Sequence, residues 1–271
     1  MEDISIMGRK TFFIAPVLSL IPEALLERLL SHGYEAYSID DDGVCPMRKK
    51  VEDLISLYPG CILFFNIDAC VEGIEWKEYI QTLCKKHQND AKIGIIFAER
   101  ISGEEKGRIE NFYYHEANIT ASALALTSNS TENYETVLEA LAFAEARGRR
   151  KMVRATCEPS CQVKFKNNTA HLYDVNRAYF CCTFDDLLQG VRMYDHFHDI
   201  EMDVNGMKFE TDAVLIMKHS RNNINRYIFM FVKKDGSPEL ESHLKSRLNK
   251  KIYQIVTAER KAAMKKAFCS K

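Results

Sequence analysis

The sequence lacks an apolar run long enough to cross a membrane, lacks any C-x-x-C pair, and carries almost no net charge. The longest apolar candidate, Thr11 to Ile21, is about half of the ~20 residues that a spanning helix needs, which excludes stable membrane insertion by this route. Arg9 and Lys10 precede that run, as in a signal peptide, but Glu2, Asp3 and the missing small-residue cleavage site favour a buried first strand. With 37 basic and 38 acidic residues the formal charge is −1, so a general nucleic-acid binder is not expected and any anion site must be local. The nine cysteines are odd in number and scattered, and several lie in apolar runs. They read as reduced thiols of a cytoplasmic protein rather than as a disulfide framework. Phosphate-loop, zinc-protease and nucleophile-elbow motifs are all missing, and no catalytic residues are assigned.

What remains is a chain of 271 residues, 46% hydrophobic and 28% charged, the size of one large or two ordinary globular domains. Residues 10–146 alternate apolar strand-like runs with helical patterns. Strands are predicted at Thr11–Val17, Tyr34–Ile39, Cys61–Ile67, Lys92–Ala98 and Ala121–Leu126. Helices are predicted at Pro22–Ser31, Arg48–Tyr58, Trp76–His87, Gly103–Tyr114 and Thr131–Arg147. The continuous apolar run of Cys61–Ile67 suits a parallel strand covered on both faces. Repeated strand-then-helix units with short links imply an α/β doubly wound parallel sheet, flavodoxin-like in its general pattern.

After Arg154 helical spacing gives way to short alternating strands: Gln162–Lys166, Ala170–Val175, Tyr179–Phe184, the runs around Ile200–Val204 and Met207–Phe209, Ala213–Lys218 and Tyr227–Lys233. Asn205-Gly206 between two alternating runs is a strong hairpin signal. Six or seven such strands imply a small antiparallel β-barrel. Ser237-Pro238 predicts a helix start, followed by a stripe of Leu240, Leu244, Leu248, Ile252 and Ile255. The predicted domains are residues 1–147 and 148–271.

On the connection lies Arg149-Arg150-Lys151-Met152-Val153-Arg154, at the end of the last predicted helix of the first domain. Guanidinium suits planar, bidentate recognition of phosphate and of the O6/N7 edge of guanine. Basic residues also favour the last turn of a helix for dipole reasons, and that is the plain alternative for this cluster.

Arg150 and Arg154 form an R-x-x-x-R pair, and about twenty residues later stands Asp174-Val175-Asn176-Arg177-Ala178-Tyr179. On these residues, and on the strand order that follows, residues 148–257 resemble a PilZ domain, a six-stranded barrel with a C-terminal helix that binds cyclic di-GMP. The family's signature is R-x-x-x-R followed by [D/N]-x-S-x-x-G. Here Asp174 keeps the acidic position, Asn176 replaces serine and Tyr179 replaces glycine. The resemblance implies that Arg150 and Arg154 grip phosphate and the guanine Hoogsteen edge, with Arg149 as a further fork. It implies that Asp174 accepts from guanine N1–H and N2–H, and that Asn176 bonds a base or phosphate. Tyr179 either lines the pocket by stacking on a base or crowds it, since tyrosine has neither the positive φ nor the small size of glycine. The implied protein is a non-enzymatic effector that couples cyclic di-GMP, bound at the hinge, to a protein partner, with motility, adhesion or polysaccharide outputs. The alternative is a ligand-independent interaction scaffold.

The first domain resembles a response-regulator receiver in pattern. Ala15-Pro16 stand where a receiver needs an acidic pair, Asn66 is near the phosphoacceptor position with Asp68 two residues later, and the lysine after the fifth strand is missing near Leu126-Thr127. A domain without phosphotransfer chemistry is expected, with Asp40-Asp41-Asp42 a polar surface loop. Asp185-Asp186 lacks any phosphotransfer context. His196-x-His198-Asp199 and Cys157-x3-Cys161 with His171 have metal-ligand residue types, but no third ligand is fixed for the histidines, and a polar loop and scattered structural thiols are the expected readings. The basic segment Glu259–Lys271 is read as a solvated helix end rather than a surface for an acidic partner.

Overall fold

The computed structural model describes residues 3–99, 102–165, 168–184, 190–221 and 224–269. Asp185, Asp186 and the end of the predicted strand at Lys166 lie outside them. The chain divides into two units, Met1–Val153 together with Arg260–Lys271, and Arg154–Glu259. The sequence boundary at 147/148 therefore moves, for two physical reasons. The backbone N–H groups of Arg149 and Arg150 donate to the carbonyls of Ser5 and Ile6, which holds the connecting segment to the first unit. The end of the last helix is likewise built into the first unit, as described below.

The first unit is a five-stranded parallel sheet: β1 (Thr11–Ile14), β2 (Ala36–Ile39), β3 (Cys61–Asn66), β4 (Ala91–Ala98) and β5 (Ala123–Leu126), in the order β2-β1-β3-β4-β5. That order is one of the doubly wound ones. A short helix α1 (Ile4–Met7) precedes it, and α2 (Glu23–Ser31), α3 (Met47–Leu57), α4 (Trp76–Lys86), α5 (Gly103–Asn111) and α6 (Ser130–Phe143) connect or follow the strands. Phe12, Phe13, Phe64, Phe65 and Phe97 are fully buried, as expected of strands covered on both faces. On one face α2 meets α6: the Arg28 guanidinium lies 3.6 Å over the Tyr134 ring, and Asn133 Nδ2 donates to the Leu20 carbonyl at 3.2 Å. The right-handed crossover rule puts α3 and α4 together on the other face, and they do meet, Lys86 and His87 converging on Glu52 at 2.8 and 3.0 Å.

Several element ends differ from the sequence reading. β1 stops at Ile14 because Ala15 adopts φ +48 and Pro16 follows, so the predicted extension to Val17 does not form. A one-turn π segment, Phe112–Glu116, finishes what was read as the end of α5. α6 starts at Ser130, one residue before the predicted Thr131, and is capped by Asn129, whose side chain accepts from Thr131 N. It ends at Phe143, since Glu145 takes φ +54. The arginine cluster is therefore not a helix end, and the helix-dipole account of it fails. Gly148 is required where it stands: a Cβ there would meet Gly8 N and Ile6 O at 2.4 Å.

The second unit is antiparallel. Its strands are β6 (Ala155–Thr156), β7 (Gln162–Phe165), β8 (Asn168–Val175), β9 (Tyr179–Thr183), β10 (His196–Val204), β11 (Met207–Arg221) and β12 (Ile224–Val232). The sheet runs β6-β8-β7-β10-β11-β12-β9, and β8 also pairs β9, which closes six strands into a ring with β6 added along β8. Phe180 stacks on Phe229 at 5.0 Å and 10°, with Phe165, Phe197 and Phe231 around them. Asn205 and Gly206 turn the β10–β11 hairpin at φ +47 and +84, the pair of left-handed residues that such a turn demands. Cys161 holds the turn by donating Sγ–H to Asn205 Oδ1 at 2.7 Å.

Helix α7 (Ser242–Phe268) starts five residues later than Ser237-Pro238 suggests. The intervening turn is fixed by Glu239, which bridges Lys233 at 2.7 Å and Lys245 at 2.8 Å, and by fully buried Leu240. Leu244, Leu248, Ile252, Tyr253 and Val256 are buried, whereas Ile255 is only half-buried. Within the first unit the end of α7 is anchored, not fraying: Met264 is buried and Lys49 Nζ donates to the Phe268 carbonyl at 3.3 Å. Arg260 Nε lies 3.6 Å from Glu35, which also takes Lys10 Nζ at 2.5 Å and the Tyr37 hydroxyl at 2.9 Å.

Candidate functional site

The predicted residues fall in both units. Arg149 and Arg150 belong to the first. Arg149 is exposed, and its charge helps to hold Asp3 below the usual carboxylate range, behind the larger effect of hydrogen bonds from Ser5. Arg150 is half-buried, with Nη1 at 2.9 Å from Met7 Sδ.

Arg154, Asp174, Asn176 and Tyr179 belong to the second unit. Arg154 directly precedes β6, and β6 pairs with the end of β8 so that Thr156 lies opposite Asp174. This register brings Arg154 Nη1 to 3.7 Å from Asp174 Oδ2, with the side chains 36% and 19% exposed. Asn176 sits in the tight β8–β9 turn and is buried. Its Oδ1 accepts from Ala178 N at 2.8 Å and Tyr179 N at 2.9 Å, while its own N–H donates to the Tyr179 carbonyl. This is the turn-forming use of asparagine, which serine performs more weakly. Tyr179 opens β9 with partial exposure and pairs with Met230; it is not among the residues of positive φ. The backbone at this position thus has no need of glycine.

Side chains alternate along a strand, so Tyr179, Cys181 and Thr183 share a face of β9, away from the buried Phe180 and Cys182. Asp174 lies opposite Cys181, which is in turn opposite Ile228. Arg226 lies opposite Thr183 and is half-buried. Its guanidinium is 4.0 Å over the ring of Tyr173. Burial raises the Cys181 thiol to about 11, Asp174 adds to the rise, and Arg226 and Arg154 oppose it. Three charges therefore surround one side chain on this outer face. Sequence reasoning missed Tyr173 and Arg226, which become neighbours only through strand register.

The other constellations have structural employment. His198 Nδ1 contacts Asp212 Oδ2 at 2.8 Å, and Asp212 Oδ1 accepts from Asp199 N at 3.0 Å, where Asp199 takes φ +54 beside a bulge in β10. Burial would raise Asp212, but these hydrogen bonds hold it below the usual carboxylate range. All nine thiols are free, and among the described residues no group of three His, Cys, Asp or Glu could hold a metal ion. Burial pushes Cys61 to about 12 and Cys84 to about 11, which removes the thiolate that reactivity requires.

At the carboxyl ends of β1, β3, β4 and β5 the first unit has a cavity of about 630 Å³, lined among others by Val17, Ser19, Asp68, Glu99 and Thr127. Crevices at this edge are where α/β sheets take ligands. Asn66 is buried here and donates Nδ2 to the Ala15 carbonyl at 2.9 Å. Asp68 Oδ2 accepts from Ala98 N at 2.7 Å. Among the described residues no helix is long and apolar enough to cross a membrane.

No family model and no curated protein matches the chain. Among solved structures, YcgR from Escherichia coli in complex with c-di-GMP is similar at 22% identity and a TM-score of 0.36, over 44% of this chain and 51% of that one. The PilZ domain of YcgR with c-di-GMP, also from Escherichia coli, is similar at 20% identity and a TM-score of 0.35, over 42% of this chain and 97% of that one. The inhibitor of motility MotI/DgrA of Bacillus subtilis follows at 11% identity and a TM-score of 0.31, over 42% and 52%. The chain thus spans about half the length of the YcgR structure. Its second unit resembles a PilZ domain in its ring of six antiparallel strands, its C-terminal helix and its motif residues Arg154 and Asp174.

Proposed function

We propose that this chain is a cyclic di-GMP-binding effector that passes ligand binding to a protein partner through the connecting segment 149–154. The observation that carries this reading is the Arg154–Asp174 contact of 3.7 Å on the outer face of the barrel. It joins the two halves of the signature in space. A guanidinium fork offers donors to phosphate or to guanine O6/N7, and a carboxylate accepts from the guanine N1–H and N2–H edge. Neither role is catalytic. Arg149 and Arg150 stand on the connecting segment as further donors to phosphate by residue type, and Tyr179, on the same face as Asp174, offers a ring for stacking. Isothermal titration of the full chain with cyclic di-GMP, with GTP as control, tests this. Arg154→Ala and Arg150→Ala each remove charge-assisted hydrogen bonds of about 1.5–3 kcal/mol, a loss of roughly ten- to a hundredfold in affinity. Equal affinity of both variants and the wild type would overturn the site.

One observation favours the alternative, a ligand-independent PilZ-like scaffold. The Asn176 oxygen is already engaged by two backbone N–H groups of its own turn. On that reading the titration gives no heat, and partner binding ignores the nucleotide.

For the first unit we propose a receiver-like domain without phosphotransfer. Ala15 and Pro16 replace the acidic pair, and Asp68 is bonded to the backbone of Ala98. Incubation with acetyl phosphate and magnesium is expected to leave the chain unlabelled. Phosphate on Asp68 would contradict the proposal.

A further inference from the structure

Strand β8 has a register shift between Leu172 and Asp174: Leu172 faces Cys182 and Asp174 faces Cys181, which leaves Tyr173 between them without a partner on β9. A bulge of this kind re-aims one side chain, and bulges are common beside binding sites. On the opposite edge of β8, Cys157 N donates to the Tyr173 carbonyl at 3.0 Å, so the backbone is held while the side chain stands 36% exposed. Arg226 reaches over from β12 and lays its guanidinium 4.0 Å from the centre of the Tyr173 ring. Arg154 and Asp174 occupy the same outer face, as does Thr183 opposite Arg226.

We propose that Tyr173 and Arg226 form a purine-stacking subsite that extends the Arg154–Asp174 pair and accepts one base of the nucleotide on the exposed side of the guanidinium plane. This rests on the reading that the second unit binds a guanine nucleotide. The physical basis is that a guanidinium plane is a stacking surface for a base, and here an aromatic ring supports it from behind. Stacking on Tyr173 leaves the edge donors of Arg226 available for the O6/N7 side of a base or for phosphate. Lysine at this position keeps the charge and loses the plane, so charge and stacking can be separated.

The experiment is calorimetric titration of the full chain with cyclic di-GMP for wild type, Arg154→Ala, Arg226→Ala, Arg226→Lys and Tyr173→Ala, each checked for folding by thermal melting. Arg226→Ala is expected to weaken binding about tenfold or more, and Arg226→Lys nearly as much. Tyr173→Ala is expected to cost several-fold, because the guanidinium loses its support. Loss of binding in Arg154→Ala with wild-type affinity in Arg226→Ala would overturn the subsite and leave the proposed function standing. Wild-type affinity in Arg226→Lys alone would show a role of charge only and also overturn it. No binding by the wild-type chain would remove the proposed function and the subsite together.

Discussion

At 3.7 Å the Arg154–Asp174 contact is too long for a strong hydrogen bond and close enough for attraction, and it sits at a half-exposed surface. Such pairs contribute about 0–1 kcal/mol to stability, so replacing Arg154 should leave the melting temperature nearly unchanged while weakening ligand binding about tenfold or more. That these two residues belong together was legible in the sequence, because both stand at positions of the signature that residues 148–257 resemble. The work of Asn176 was not: only the turn geometry reveals that its oxygen is bonded to Ala178 and Tyr179. Tyr173 and Arg226 were illegible for another reason. They stand 53 positions apart, and only the β8 bulge and the β9–β12 register bring them into contact.

Among elements, the parallel strands announced themselves by continuous apolar runs, and the Asn205-Gly206 hairpin by its turn residues. Ends were harder, because a single backbone angle decides them, as at Ala15 and Glu145. The start of α7 was misplaced since Pro238 suits both a first helical turn and the turn that precedes it. Glu239 makes the difference by tying Lys233 to Lys245. Hydrogen bonds from Lys233 and then Lys245 lower Glu239 to about 2 from 4.5. A depressed carboxylate contributes stability that is fully present above its unfolded value and is lost as the pH falls through the folded one. Glu239→Gln is therefore expected to melt below the wild type at neutral pH, with the difference shrinking between pH 4.5 and about 2. Melting curves across that range check it; a difference that stays constant with pH would contradict the assignment.

For the molecule as a whole, the two-part organisation followed from the switch of hydrophobic period near residue 154. That Arg260–Lys271 groups with the first unit did not. Besides buried Met264, that segment brings Arg260 to Glu35, which is 5% exposed and gathers Lys10, Tyr37 and Arg260, three residues that no local pattern connects. Removing one partner of a buried pair leaves an uncompensated charge, so Glu35→Ala should destabilise the protein by about 3–5 kcal/mol. Chemical denaturation measures this, and a loss below about 1 kcal/mol would show that the network is not integral to the fold. The central claim concerns a ligand, and titration calorimetry of the full chain with cyclic di-GMP beside Arg154→Ala tests it most directly. Saturable binding by the wild type, absent with GTP and at least tenfold weaker in the variant, is the predicted result. The absence of heat and of any thermal shift with the wild type would contradict it.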